Sequence, residues 1–257
     1  MIFTIGGGKI FSMKKIDRQR AAEYLNADKI NTIALTGVLA ANKDAEVYEN
    51  QHGEGMMVVK GRQRYIYSPD KRFWDECFYT APDDVCFACL HREIADYLKD
   101  NFGAFYDDYC HICVFLGDKP YVNPIIPDGY EVKDIDVKDL DYINDYYTYK
   151  GEGSRERLLE EITDRPSCAL YHNGKIQAWN LIHADYSMGV MFVPPFNRGK
   201  GYAQIVGSGL LKKVIAAGRI PYVQIVSENI PSLNLATQRL GFTKVFEACW
   251  VRKTPKE

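Results

Sequence analysis

Residues 189–204 read GVMFVPPFNRGKGYAQ, and this stretch decides how the chain is understood. Gly189 to Val193 is an apolar run of strand character, stopped by Pro194-Pro195, neither of which can donate to a ladder. A tight, basic, glycine-rich turn follows, Asn197-Arg198-Gly199-Lys200-Gly201, and a helix is expected from about Tyr202. A helix N-terminus carries unpaired N–H groups and about half a positive charge, so it holds anions. Glycines let the backbone close on a phosphate without a Cβ in the way, and Arg198 and Lys200 add charge. The stretch reads as a pyrophosphate cradle between a strand and a helix. The plainer alternative is an ordinary basic turn with both cations solvated.

Two familiar phosphate loops are excluded. No G-x-x-x-x-G-K-[ST] occurs, and Gly6-Gly7-Gly8-Lys9 lacks both its first glycine and its hydroxyl residue. A G-x-G-x-x-G fingerprint fails because its third glycine would fall at Gln204. What fits is V-x-P-x-x-R-G-x-G-x-A, with Val193, Arg198, Gly199, Gly201 and Ala203 in place and Pro194 one position early. This run resembles the acyl-CoA-binding motif of the GNAT superfamily of N-acyltransferases, in a form similar to its glycine-N-acyltransferase-like branch. Phe196 stands where the superfamily usually has Gln or Arg, three places before the first glycine.

Residues 223–242, VQIVSENIPSLNLATQRLGF, add a second match. Val223 to Ser227 is a short strand of buried type, Asn229 follows, and Ser232 to Leu240 has helical apolar spacing closed by Gly241. The pattern is similar to the end of a GNAT domain, where the Asn helps hold the pantetheine arm or its phosphate. The resemblance covers about residues 125–252. It implies an α+β fold with a mixed, mostly antiparallel central sheet flanked by helices. The elements expected along it are strand 130–133, helices 137–147 and 154–163, strands 169–172, 176–184 and 189–193, helix 201–217, strand 223–227, helix 232–240 and strand 246–252.

Prolines in GDKPYVNPIIPD suggest a linker at 119–128. The expected organisation is an N-terminal α+β domain at 1–118, that linker, and an acyl-CoA-binding domain at 129–257. In the N-terminal part, helices at 18–25 and 90–102 and strands at 45–49, 55–60, 64–67 and 111–116 are expected. This part is open to reading as a degenerate second copy of the same fold, although no motif repeats in it.

Composition narrows the class. The 257 residues are 46% hydrophobic with a formal net charge of −2, enough for a sizeable core and without a basic patch for nucleic acid. No apolar run reaches the about 18 residues of a membrane span, and MIFTIGGGKIFSMKK does not read as a signal peptide. No nucleic-acid or membrane partner and a cytoplasmic location are therefore expected; the oligomeric state stays open. Of the seven cysteines, Cys86-x-x-Cys89 and Cys110-x-x-Cys113 have zinc-ribbon spacing. Their apolar flanks argue for strands, where i and i+3 point to opposite faces. Buried thiols are expected and no metal, with zinc and a redox disulfide as alternatives.

The resemblance implies an acyl-CoA-dependent N-acyltransferase. Acetyl transfer from acetyl-CoA to a small amine or amino acid is the activity expected; the alternative is a non-catalytic CoA-binding or regulatory module. The cofactor-binding set is Phe192, Val193, Arg198, Gly199, Lys200, Gly201, Tyr202, Ala203, Asn229 and Ser232. Pro194 and Pro195 lack an N–H, so Phe192 or Val193 is expected to polarise the thioester carbonyl. An ammonium of pKa about 10 needs a base, and His183, Asp185 and Glu228, all at strand ends, are the candidates. The usual tyrosine acid falls at Thr237; Tyr186 and Tyr202 are possible substitutes. Asp141, Asp145, Tyr146, Tyr147, Tyr149, Glu152 and Glu160 suggest an acidic, aromatic acceptor wall. Arg155, Arg157 and Arg165 are the candidates for an acceptor carboxylate.

Overall fold

The computed structural model describes residues 2–5, 9–106, 109–118 and 122–253. The chain forms two compact units, Met1–Ile112 with Val245–Glu257, and Cys113–Lys244.

In the first unit, β1 (Ile2–Ile5) pairs antiparallel with β2 (Lys9–Ile16). Helix α1 (Arg18–Leu25) starts on Asp17, whose carboxylate accepts from Arg20 N at 2.8 Å, which satisfies one orphan donor of the first turn. Helix α2 (Ile33–Ala41) leads to an antiparallel meander of β3 (Glu46–Asn50), β4 (Met56–Lys60) and β5 (Gln63–Tyr67). Helix α3 (Lys71–Thr80) then crosses to β6 (Cys86–His91), parallel to β5. Helix α4 (Arg92–Phe102) and β7 (Tyr109–Val114) follow. Phe73, Trp74, Phe87, Leu90, Ile94 and Leu98 form the centre of its core.

In the second unit, β8 (Tyr130–Lys133) is followed by a 3-10 turn (Val137–Asp139), α5 (Leu140–Asp145) and α6 (Ser154–Asp164). Then come β9 (Cys168–His172), β10 (Lys175–Ile182) and β11 (Met188–Phe192), with β8 to β11 antiparallel in sequence order. Helix α7 (Tyr202–Ala216) crosses to β12 (Tyr222–Val226), which is parallel to β11. Helix α8 (Ile230–Asn234) continues as a π-helical turn, Leu235–Arg239. Alternate residues of β10 serve two cores. Ala178 and Ile182 face Val206, Leu210 and Leu211 of α7, while Trp179 and Leu181 face Leu140, Ile143, Leu158 and Ile162 of α5 and α6.

Both units run strand, helix pair, three antiparallel strands, crossover helix, parallel strand, helix. The N-terminal unit is thus a second copy of the topology, without the sequence motifs. Residues 245–253 group with this unit, a correction to the expected C-terminal domain at 129–257. Strand β13 (Thr243–Arg252) pairs antiparallel with β6, Cys249 opposite Leu90 and Val251 opposite Phe87, and buries Cys249 and Val251 in the first core. Hydrophobic periodicity states that a segment is a strand; it carries no information on which neighbour it joins. Of the expected linker, residues 119–121 lie outside the described residues, and 122–128 are counted with the second unit.

Helices α2 and α3 were not anticipated. IALTGVLAA is apolar throughout, with Ile33, Ala34, Leu35, Gly37 and Val38 all buried, so it shows no amphipathic period. KRFWDECFYT is rich in residues that favour strands, and the Asp70 cap with burial of Phe73, Trp74, Cys77 and Phe78 makes it a helix. Leu90 and His91, expected in the helix, end β6.

Helix α7 lies close to its sheet because Gly209 faces Cys168, where an added Cβ would be 2.4 Å from Sγ. Gly209→Ala gains about 1 kcal/mol of helix propensity and loses about 1–3 kcal/mol to overpacking. Net destabilisation of about 1 kcal/mol is expected in urea unfolding. Adding Cys168→Ala, which removes the sulfur, should abolish that coupling in a double-mutant cycle.

Candidate functional site

Strand β11 is irregular where it matters. Trp179 pairs with Phe192 and Leu181 with Gly189, so two steps along β10 oppose three along β11. The extra residue is taken up at Val190, whose φ is +51°. A β-branched residue in the left-handed region is a genuine outlier and costs about 1–3 kcal/mol. Bulges of this kind re-aim the backbone. On its other side β11 registers with β12 at Met188–Val223. This is the one register position between the two strands among the described residues, and past it Gly189–Phe192, Gln224 and Val226 are half-buried.

Strand β11 leads along the chain into the basic turn. Gly199 and Gly201 have φ of +77° and +80°, conformations that favour glycine. Gly201 is the N-cap of α7 and offers no capping side chain, so the first N–H groups of the helix, those of Tyr202 and Ala203, are left for an external acceptor. Arg198, Gly199, Lys200 and Gly201 are exposed. Arg198 Nε donates to Val193 O at 3.1 Å, and its guanidinium lies 5.8 Å from the Phe192 ring centre. Lys200 Nζ donates to Asn197 Oδ1 at 3.2 Å, and buried Asn197 is anchored by Gln177 Oε1 at 2.9 Å. Both cations are thus held beside the turn by neighbouring groups. Tyr202 is buried beneath them, its hydroxyl 2.7 Å from that of Tyr130. That hydrogen bond, with burial, pushes the Tyr202 phenol up to about 12.

Past β12, Asn229 Oδ1 accepts from Ser232 N at 3.2 Å and caps α8. Thr237 Oγ1 donates back to Leu233 O at 2.9 Å within the π-helical turn. Tyr186 has φ +69° and lies under the Arg219 guanidinium, 4.5 Å away, in the turn after β10.

The three expected bases have different surroundings. The Asp185 carboxylate is buried and occupied by Ser187 N at 3.0 Å, Ser187 Oγ at 2.6 Å and Gln224 Nε2, which makes it a turn brace. Glu228 is exposed in the turn ahead of α8. His183, just past β10, donates through Nδ1 to Glu161 Oε1 at 3.0 Å. The Nε2–Cδ2 side of its ring lies against Gly189 of β11: a Cβ there would be 2.2 Å from Nε2 and 2.4 Å from Cδ2. Burial pulls its pKa down, but the hydrogen bond and charge of Glu161, helped by Asp185 and opposed by Arg165, raise it above the usual value.

Sequence reading missed Glu161. It lies between Leu158 and Ile162 on the buried face of α6, and a carboxylate inside an apolar stripe was the available signal. Tyr147 is near it, its phenol pushed up by burial and by the Glu161 charge.

On α5, α6 and their flanks, three of the acidic residues expected to form an acceptor wall are held in ion pairs. Asp141 is paired with Arg155 at 2.7 Å, Asp145 with Lys150 at 2.8 Å and Glu160 with Arg165 at 2.6 Å. Glu152 stays exposed, and beside these helices lies an aromatic cluster: Tyr146 and Trp179 sit 4.8 Å and 5.2 Å from the Phe192 ring, with Tyr142 5.8 Å from Trp179.

The matching helix start in the first unit is closed. Ser68-Pro69-Asp70 joins β5 to α3 without a glycine, and the Asp70 carboxylate accepts from Arg72 N at 2.9 Å. Its negative charge occupies the place an anion would take. Among the described residues no three His, Cys, Asp or Glu converge as a metal site. Cys86 and Cys89 lie along β6 and Cys110 and Cys113 along β7, and none of the four is in a disulfide. Among the described residues no helix is long and apolar enough to cross a membrane.

Known proteins share this architecture. The FR47-like protein family matches residues 167–251, which include β11, the cradle and β12. A Drosophila protein solved by X-ray diffraction superposes with a TM-score of 0.81 at 16% identity, over 96% of this chain and 100% of that one. A GCN5-related N-acetyltransferase from Kribbella flavida gives 0.60 at 12% identity, over 89% and 95%. A tandem GNAT protein from the clavulanic acid biosynthesis pathway gives 0.57 at 12% identity, over 96% and 100%. A search of curated proteins returns no match. The chain has the GNAT acetyltransferase fold; the comparisons do not single out the glycine-N-acyltransferase-like branch.

A histidine whose folded-state pKa is raised contributes stability below its unfolded pKa and loses that contribution as pH rises through the folded value. The stability of the wild type relative to His183→Gln is therefore expected to decline from about pH 6.5 upward through the raised pKa. Urea unfolding from pH 5.5 to 8.5 checks this; a pH-independent difference contradicts the His183–Glu161 ion pair.

Proposed function

We propose that this protein is an acyl-CoA-dependent N-acyltransferase, moving an acyl group, acetyl foremost, from CoA to a small amine or amino acid by direct attack. One observation carries the reading: a parallel strand pair registered at Met188–Val223, with a bulge at Val190, is followed in the chain by a helix start without a side-chain cap, preceded by Gly199 and Gly201 at positive φ. An extended pantetheine arm fits as an added strand on the free β11 edge at Phe192 and Val193. The pyrophosphate fits the N–H groups of Tyr202 and Ala203 with Arg198 and Lys200 beside them. Asn229 and Ser232, at the cap and in the first turn of α8 after β12, are read as flanking the opposite side of the arm. In this reading the re-aimed backbone at Val190, earlier in β11 than the expected Phe192 or Val193, polarises the thioester carbonyl.

Direct attack agrees with the thiols. In the second unit Cys113 and Cys168 are fully buried, and burial pushes each up to about 11, far from a thiolate nucleophile. A second reading, a CoA-binding module without turnover, is favoured by Thr237 at the usual acid position with its hydroxyl tied to Leu233.

Calorimetric titration with acetyl-CoA tests the cradle. One site per chain is expected, because Asp70 closes the matching helix start of the first unit. Gly201→Asp, which adds a carboxylate and a strained Cβ, should cut affinity by more than about 100-fold, near 2.7 kcal/mol. No binding to the wild type would end the reading. Binding without acetyl transfer across a panel of amines and amino acids would favour the second.

A further inference from the structure

We propose that His183 Nε2 is the base that takes the acceptor's proton, and that Glu161 is the positioning residue that fixes its tautomer and charge. This rests on the transferase reading of the site.

A carboxylate on the core face of a helix costs several kcal/mol unless paired. Glu161 is 7% exposed and its Oε2 has no hydrogen-bond partner among the described residues. Its Oε1 accepts from His183 Nδ1. The pair is graded: the Glu161 side chain is 10% exposed, the His183 side chain 34%. One end is sealed in the core and the other reaches solvent, which is the arrangement of a base held by an orienting acid. With Nδ1–H committed to Glu161, Nε2 keeps the lone pair. Nε2 is also the atom seated against Gly189, next to the Val190 bulge. A proton acceptor that follows β10 and a re-aimed backbone in β11 are therefore neighbours. Asp185 lacks a free oxygen for the role, and Glu228 lies beyond the other strand. Of the charged groups facing the imidazole, Glu161 and Asp185 favour its protonation and Arg165, just after α6, opposes it; Tyr147 faces Glu161.

The step balances simply. The acceptor ammonium loses one proton to solvent, and the amine nitrogen forms a bond to the thioester carbon. Its second proton passes to His183 Nε2. The C–S bond breaks, and the imidazolium returns that proton to the CoA thiolate. An acyl-CoA and an ammonium give an amide, CoA thiol and one proton.

The test is the pH dependence of acetyl transfer by the full chain, with CoA binding measured on each variant. His183→Gln should lose about 100-fold or more in kcat and the acidic limb of the profile. Glu161→Gln should lose about 10-fold or more in kcat, leave the KM for acetyl-CoA within about 2-fold, and move the acidic limb to lower pH. Glu161→Asp should restore part of both. If Glu161→Gln does not fold, the ring protons of His183 in the wild type, followed by NMR, should titrate above the usual histidine value; titration at or below it overturns the pair. Wild-type turnover with an unchanged limb in Glu161→Gln overturns the pair and leaves the transferase reading intact. CoA binding without turnover in the wild type overturns both.

Discussion

The second unit depends on a pairing that stops. β11 and β12 are parallel neighbours whose one register position among the described residues is Met188–Val223. So short a parallel ladder gives few hydrogen bonds, and Val190 adds backbone strain of about 1–3 kcal/mol. The two cores on either face of β10 offset this. Trp179 and Leu181 on one side and Ala178 and Ile182 on the other hold the sheet from both faces. The defect can persist because the strands around it are fixed.

The cradle and the bulge form one device. The strand with the irregular backbone ends at Pro194-Pro195 and becomes the turn of Gly199 and Gly201, so the position of one sets the position of the other. Asn197, tied to Gln177 near β10, fixes the turn against the same sheet. His183 comes from the opposite end of β10 and returns over Gly189. Three consecutive pieces of chain thus meet within the antiparallel hairpin and its exits.

The cradle was legible because its signals are local. Positive φ calls for glycine at 199 and 201, a strand end calls for a stop at 194, and both are written in the residues themselves. The elements of the second unit followed from periodicity for the same reason. What could not be read is what depends on distance in the chain. Glu161 and His183 meet across two elements, and neither residue alone distinguishes a core pair from a solvated one. Asp185 had the right position at a strand end but was consumed by its own turn, through Ser187. The Val190 irregularity is invisible because valine is an ordinary strand residue. Helix α2 lacked a period because it is buried nearly all round, and β13 gave its type without its partner.

The placement of β13 has a consequence for synthesis. The N-terminal unit needs residues 245–252 to cover β6, and those residues are translated after the whole of the second unit. While the ribosome is still making the second unit, the first has an uncovered strand edge on β6, with Phe87 and Leu90 lacking the packing of Cys249 and Val251. Unpaired strand edges are templates for aggregation. The second unit holds its own strands from β8 to β12 and can close before the first. Maturation of this chain would then run against the direction of translation, with the N-terminal half sealed last.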